Sequence, residues 1–466
     1  MLRLLIDKEL REIIGSTKFA VTFGVMALLI LLAFYVGARN YQVSVHEYEA
    51  GVAENLKQME GLTDWARVDN RIFLRPQPLA ALVSGVSNDI GRTVEISSRW
   101  EATAEDSRFD ADPIYAVFRF IDLEFIFTIV LSLFAILFAY DAVNGEKERG
   151  TLSLAFSNSV PRDKYILGKL IGSFLALSVP LLIPILIGGL LLPLLGVPMD
   201  AGAWTRLTFV IAAGLLYLGV FLTLSVFVSS LTEHSSSSFL LLLVVWIFAV
   251  LIIPRTAVLI SGRAVDVPSM DQVNFEKSTY QSQLWDEDMK EVDKLRRQIS
   301  SLPREQRRLR FRALMSELSE ARTDKMDIFA KRLNEDRRNR ERVRQRVALG
   351  LARISPASVF ALASTNLSGT SLRLKERYLD SAAEYREVYL RFLEEKTGSS
   401  SSGWWHGGST ESDEEIDPLD IPEFDFKDVS TADHVNEALP DLAILILFNI
   451  VFFVGAFLAF LRYDVR

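Results

Sequence analysis

Six apolar blocks, residues 19–36, 125–139, 170–195, 207–231, 239–254 and 442–461, constrain this chain more than any other feature. A helix that crosses a bilayer needs about 20 apolar residues, or roughly 17 at the short end. In hydrocarbon each backbone polar group must be bonded inside the structure, so blocks of this length resolve into helices. The reading is an all-α polytopic membrane protein with six transmembrane helices, at 19–36, 122–140, 170–195, 207–231, 239–254 and 442–461. The second block holds only 15 residues, which places Asp122 and Glu124 in the headgroup layer. There they avoid the ~3 kcal/mol charged for a carboxylate at a helix centre.

The polar lead, residues 1–18, carries Asp7, Glu9 and Glu12 among its basic residues. It lacks a small-residue cleavage pattern, so it reads as the lead of an uncleaved first span. Leu2, Ile6, Leu10 and Ile14 recur at i+4, with Arg3, Asp7, Lys8, Arg11 and Glu12 on the other side. That pattern describes an interfacial amphipathic helix. Residues 1–18 hold four Lys/Arg, the loop 141–169 holds five, and the loop 196–206 holds only Arg206. The positive-inside rule then puts both termini and the 141–169 loop in the cytoplasm. The segment 255–438 holds 30 of the 51 basic residues, but the rule discounts loops of that length.

Two large insertions, 37–121 and 255–438, fall outside on this scheme and form a mainly helical domain with minor strand content. Residues 41–59 read as helix, and 71–76 and 93–96 as short strands. Residues 278–347 read as long helices in a hairpin or short coiled coil. Pro303 breaks them, and Ser300 or Ser301 supplies a cap. The basic run 337–346 has no interleaved aromatics and many acids, so it reads as a solvated helix face and not a nucleic-acid site. The apolar stretch 354–363 is half a span long, suited to dipping into the outer leaflet or packing on the outer domain. Arg377 to Glu395 is helical, with Tyr378, Tyr385 and Tyr389 among charges. Residues 398–408, with Trp404, Trp405 and His406, read as a flexible linker, and 411–428 as an acidic one.

Catalytic constellations are missing from the sequence. There is no phosphate loop, no zinc-protease helix and no nucleophile elbow, so the chain is not expected to be an enzyme by itself. Cysteine is absent, and His46, His234, His406 and His434 have no ligand spacing, so no metal site is expected. No lysine or carboxylate lies deep inside a span, which argues against a proton-coupled pump or voltage sensor. Pro180, Pro184 and Pro193 predict a kinked third span.

Between the second and third spans runs Asp141…Gly145-Glu146-Lys147-Glu148-Arg149-Gly150-Thr151-Leu152. Leu154, Ser157-Asn158, Pro161-Arg162 and Gly168-Lys169 follow. This run resembles the first cytoplasmic loop of type 2 ABC exporter permeases. Arg75-Pro76…Leu79…Gly85 and Ser355-Pro356…Gly369…Tyr385-Arg386 resemble a bacterial subgroup with large extracytoplasmic insertions. The resemblance implies a permease in the bacterial inner membrane that pairs with a second copy or paralogue. It also implies a separate ATP-binding subunit, which carries ATP and Mg, docked by each permease; this chain itself has no cofactor. Membrane lipid and an extracytoplasmic protein are further expected partners. Gly145, Glu146, Glu148, Arg149, Gly150 and Thr151 would form the ATPase-coupling site. In it Glu146, Glu148 and Arg149 make the contacts, Gly145 and Gly150 turn the backbone at its ends, and Thr151 caps a helix. Reversing Glu146 and Glu148 to Lys is expected to spare the fold and weaken docking. The alternative reading is a membrane-anchored scaffold whose external helices bind a partner protein. The substrate is unspecified.

Overall fold

The structure, a computed structural model, describes residues 2–63, 68, 70–87, 92–96, 103–105, 122–157, 160–300, 302–397 and 417–462. The expected linker 398–408, the acidic run up to residue 416, Ser301 and Asn158 lie outside the described residues. The chain opens with α1 (Leu2–Ile14), turns at Gly15 and continues into α2 (Thr17–Met59). Ser16 caps α2 by accepting from the Phe19 amide at 3.1 Å. Among the described residues six helices are long and apolar enough to span a membrane. They are α2, α3 (residues 123–139), α6 (Arg162–Leu194), α7 (Ala201–Leu231), α8 (residues 235–264) and α13 (Thr431–Leu461). Two short helices, α4 (Asn144–Glu148) and α5 (Thr151–Ser157), form the loop between α3 and α6. Pro180, Pro184 and Pro193 all sit inside α6. The 43-residue α2 joins the first apolar block and the helical stretch 41–59 into one element.

α7 is the most buried of the six and α13 the least, so α7 is the hub of the bundle. Two spans contain a π turn, at Ile126–Leu131 in α3 and Ile247–Ile252 in α8. A π turn loosens the helical ladder and leaves carbonyls for other partners. In α3 the Thr128 carbonyl accepts from Tyr217 Oη at 3.0 Å and from Ser132 Oγ at 2.6 Å. In α8 the Ala249 carbonyl accepts from Ser355 Oγ. Ser355 is also the cap of α11 (Pro356–Ser368), the half-length apolar stretch of the sequence. α11 neither hangs on the outer domain nor lies on the surface. It is wedged among the spans, with Phe360 stacked on Tyr217 at 5.1 Å and tilted against Phe127 at 5.6 Å.

The two insertions build one domain at the bundle end opposite the α4–α5 loop. Its three-stranded antiparallel sheet, in the order β1 (Asn70–Phe73), β2 (Thr93–Ile96), β3 (Thr103–Glu105), pairs Asn70 with Ile96 and Phe73 with Thr93. α12 (Leu372–Thr397) covers it, with Tyr378, Tyr385 and Tyr389 facing the strands. Tyr378 Oη donates to the Ile72 carbonyl at 3.0 Å and Tyr389 Oη to the Val68 carbonyl at 2.9 Å. Asn70 Nδ2 donates to Tyr385 Oη at 2.8 Å. The expected hairpin is present as α9 (Met270–Ile299) and α10 (Arg304–Ala352). Tyr280 stacks on Phe329 across it at 4.2 Å, and Arg322 pairs with Asp288 at 2.6 Å. Ser300 does not open α10. It ends α9, donating to the Arg297 carbonyl at 2.9 Å, and Pro303 occupies the cap position of α10. Arg353, at the end of α10, makes a bidentate pair with the fully buried Asp441 of α13 at 2.6 and 3.2 Å.

Candidate functional site

The loop is tied to nearly every helix end around it. At its start the Val143 and Asn144 amides, uncapped by their own side chains, donate to Ser229 Oγ of α7 at 3.0 and 3.3 Å. Asn144, fully buried, returns a bond from Nδ2 to Thr232 Oγ1 at 2.9 Å. Glu148 accepts from the amide and hydroxyl of Ser235 at 2.8 and 2.7 Å, so its carboxylate caps the first turn of α8. Arg162 Nη1 donates to the Leu461 carbonyl at 2.5 Å and closes the last turn of α13. Arg149 donates to Glu12 of α1 at 3.1 Å and to its own Gly145 carbonyl at 3.0 Å.

Under the loop lies a buried charge cluster. Glu146, 2% exposed, accepts from Lys8 Nζ at 2.8 Å, Lys169 Nζ at 2.9 Å and Tyr165 Oη at 2.7 Å. Lys169 also pairs with Glu9 at 2.7 Å, and Ser173 donates to Glu9 at 3.3 Å. α1 reaches α6 because Gly168 and Gly172 have no side chain. A Cβ at Gly172 would stand 2.6 Å from Glu9 Cβ, and one at Gly168 2.7 Å from Leu5 Cβ. The amphipathic face of α1 therefore serves helix packing, while Leu4 and Ile14 remain exposed. Burial pushes the Glu9 carboxyl above its ordinary range, and Lys169 opposes the shift. Carboxylate oxygens of Glu9, Glu12 and Glu146 come within 4.8 Å of one another. Lys8 and Lys169 already bond Glu146, and Lys169 bonds Glu9, so the chemistry is that of an ion-pair network and not of a cation cage.

The six predicted loop residues thus divide. Gly145 and Glu146 are buried; Glu148, Arg149, Gly150 and Thr151 are exposed. Gly150 does make a left-handed turn, with φ +70°, whereas Gly145 is inside α4 and turns nothing. Thr151 closes the helix before it, its hydroxyl donating to the Glu146 carbonyl at 3.1 Å. A surface role for the Glu146 carboxylate does not fit its burial. Reversing it would set a third cation against Lys8 and Lys169, so that change is not the benign one the sequence suggested. Lys8, Glu9, Tyr165, Ser229 and Ser235 were missed as site residues. The signal available for Lys169 was its place at the mouth of a long apolar block, where a lysine needs a partner.

The family model described as ABC-2 family transporter protein matches residues 3–465. The chain belongs to this family. Among its relatives is a probable ABC transporter permease protein NosY of Stutzerimonas stutzeri, 36% identical over 127 residues. The protein of the same name in Pseudomonas aeruginosa is 35% identical over 129 residues. Each match covers 27% of this chain and 46% of the relative, so the chain spans about half the length of the curated relatives it matches. An ABC-2 chain with six candidate spans has the all-α membrane architecture expected from its apolar blocks.

Proposed function

We propose that this chain is the permease subunit of an ABC exporter, working with a separate ATP-binding subunit. The supporting observation is the wiring of the α4–α5 loop. Glu148 reaches α8, Arg162 reaches α13, Ser229 of α7 holds α4, and Lys8 and Lys169 bring in α1 and α6. A push on such a loop reaches the ends of α6, α7, α8 and α13 together. On this reading the ATP-binding subunit docks on Arg149, Gly150, Thr151 and the exposed face of α1, including Arg3, Asp7 and Arg11. Glu146 positions the loop from beneath, and Glu148 passes motion to α8. ATP and Mg belong to the partner, and the permease works as a dimer in the bacterial inner membrane with both termini cytoplasmic. The output is export or conformational work on the far side, where Arg353 and Ser355 join the hairpin to the spans.

The test is co-purification of the ATP-binding subunit with full-length permease carrying Arg149→Glu and Thr151→Asp, with ATP turnover in nanodiscs. Both positions are exposed, so the fold should hold, with about 0.5 kcal/mol for Thr151→Asp and about 1 kcal/mol for Arg149→Glu, which sets a carboxylate against Glu12. Weakened docking with an unchanged elution profile supports the reading. Undiminished docking and turnover would mean that the loop is only a connector.

A further inference from the structure

At the domain end of the bundle a buried arginine lacks a hydrogen-bond partner among the described residues. Arg206 lies in the second turn of α7 and is 7% exposed, and its Nε and Nη1 are buried with no hydrogen bond. The nearest carboxylate oxygen belongs to Asp428, at 3.8 Å, too far for a hydrogen bond. Asp428 is shared with His434, whose Nε2 is 3.4 Å away and whose Nδ1 donates to the Asn366 carbonyl at 3.1 Å. Buried charges in proteins are normally paired and bonded, and an orphaned guanidinium marks a place where something else belongs.

What stands beside it is a turn of small hydroxyl residues. Ser368, Gly369, Thr370 and Ser371 link the end of α11 to the start of α12. The hydroxyls of Ser368 and Ser371 are also buried and unpartnered. Thr370 is spent, donating to the Val83 carbonyl at 3.0 Å. Gly369 has φ +72°, and a Cβ there would lie 3.4 Å from Arg206 Nη1 and 3.2 Å from His434 Cε1. The left-handed φ is what calls for glycine here, and it brings the turn into van der Waals contact with Arg206. Beyond it come the first amides of α12, a 26-residue helix whose opening N–H groups favour negative charge.

We propose that Arg206 and the Ser368–Gly369–Thr370–Ser371 turn form a binding site for a singly charged phosphate oxyanion, as carried by a phosphodiester headgroup or by free monobasic phosphate. Arg206 supplies the charge and two donors, and Ser368 and Ser371 supply hydroxyls. Asp428, 3.8 Å from Arg206, limits the ligand to one negative charge. The site stands where α7 and α13 enter the bundle, at the level expected for headgroups. It goes beyond the permease reading, and its test needs no ATP-binding subunit.

The experiment is thermal unfolding of the full chain, delipidated in a neutral detergent and in mildly acidic buffer. Inorganic phosphate is titrated against chloride of equal ionic strength, and phosphatidylglycerol is added in a separate arm. A ligand that binds only the folded state raises the melting temperature with concentration. Wild type should respond, and Arg206→Gln should need about tenfold more ligand or stop responding, as expected for loss of charged hydrogen bonds. Ser368→Ala with Ser371→Ala should shift the response in the same direction, and this variant carries the test if Arg206→Gln does not fold. Lys396→Gln removes a positive charge whose ammonium pairs with Asp420 elsewhere, and should respond like wild type. Response to phosphate assigns a free oxyanion, and response to the lipid alone assigns a headgroup. Silence in both arms, or an equal response from wild type and both site variants, overturns the proposal.

Discussion

Beneath the α4–α5 loop, Glu146 gathers three donors and Lys169 bonds two carboxylates. Around α11, in the other half of the bundle, the ties to α3 and α8 are single hydroxyls on carbonyls within π turns, Tyr217 to Thr128 and Ser355 to Ala249, beside the bidentate pair of Arg353 and Asp441. Both regions join several helices, yet they differ in what a shift would cost. Separating buried charges strands each one in a poor dielectric. Exchanging one hydroxyl–carbonyl bond inside a membrane protein costs only about 0.6 kcal/mol on average, since other partners are near. The loop end is therefore built to move as a block, and the α11 end to yield.

Breaking the stiff side gives the largest effect. Glu146→Ala leaves buried Lys169 with Glu9 alone, strips Tyr165 of its acceptor and frees the half-exposed Lys8 to turn to water, and should cost about 3 kcal/mol. Denaturant unfolding in detergent measures it, and a variant as stable as wild type would erase the contrast. Next comes Asp441→Asn. Asp441 is fully buried, but Arg353 is 38% exposed and can turn to water, so about 2 kcal/mol is expected. Ser355→Ala, which also uncaps α11, should cost about 1–2 kcal/mol, and Tyr217→Phe about 0.6 kcal/mol globally. Their distinguishing readout is faster amide exchange confined to Ile126–Leu131 and Ile247–Ile252. Exchange that rises across all six spans would show that these bonds hold more than their own turns.

The smallest effect concerns pH at the domain end. Burial pushes the Asp428 carboxyl up, but the His434 and Val429 bonds and the Arg206 charge outweigh it and hold it below its usual value. A carboxyl with a depressed folded pKa stabilises above the unfolded value near 4 and loses that contribution as pH falls through the folded one. Melting temperature between about pH 5 and pH 3 should fall less in Asp428→Asn than in wild type. Parallel curves would remove Asp428 from the acid response.

The spans were legible because hydrocarbon leaves an apolar block few choices, and the two strands because alternation and turn residues bound them. Tyr378, Tyr385 and Tyr389 were visible as aromatics on a charged helix, but the carbonyls of Val68 and Ile72 they meet lie some 300 residues away. Spacing carries no record of such pairings. Glu146 reads as surface from the sequence because GEKERG is polar throughout. Its burial depends on Lys8 and Lys169, which approach from either side in sequence. At half a span long, α11 reads from its sequence as dipping into the outer leaflet or packing on the outer domain. Its place among the spans depends on the pocket left by Phe127 and Tyr217.

α10 runs for 49 residues, about 74 Å at 1.5 Å per residue, more than twice the thickness of a hydrocarbon core. Its near end is pinned at Arg353 to a span, and its far end is the α9–α10 turn. Arg337 on the Pro268 carbonyl, and Arg338 and Arg342 on Asp380 and Glu376 of α12, brace its near third, so the arm beyond Arg337 is about 50 Å long. A tilt of about 10° of that arm would sweep the far end through about 9 Å. A small rearrangement at Ser355 and Asp441, where the rod meets the spans, would be magnified along such an arm.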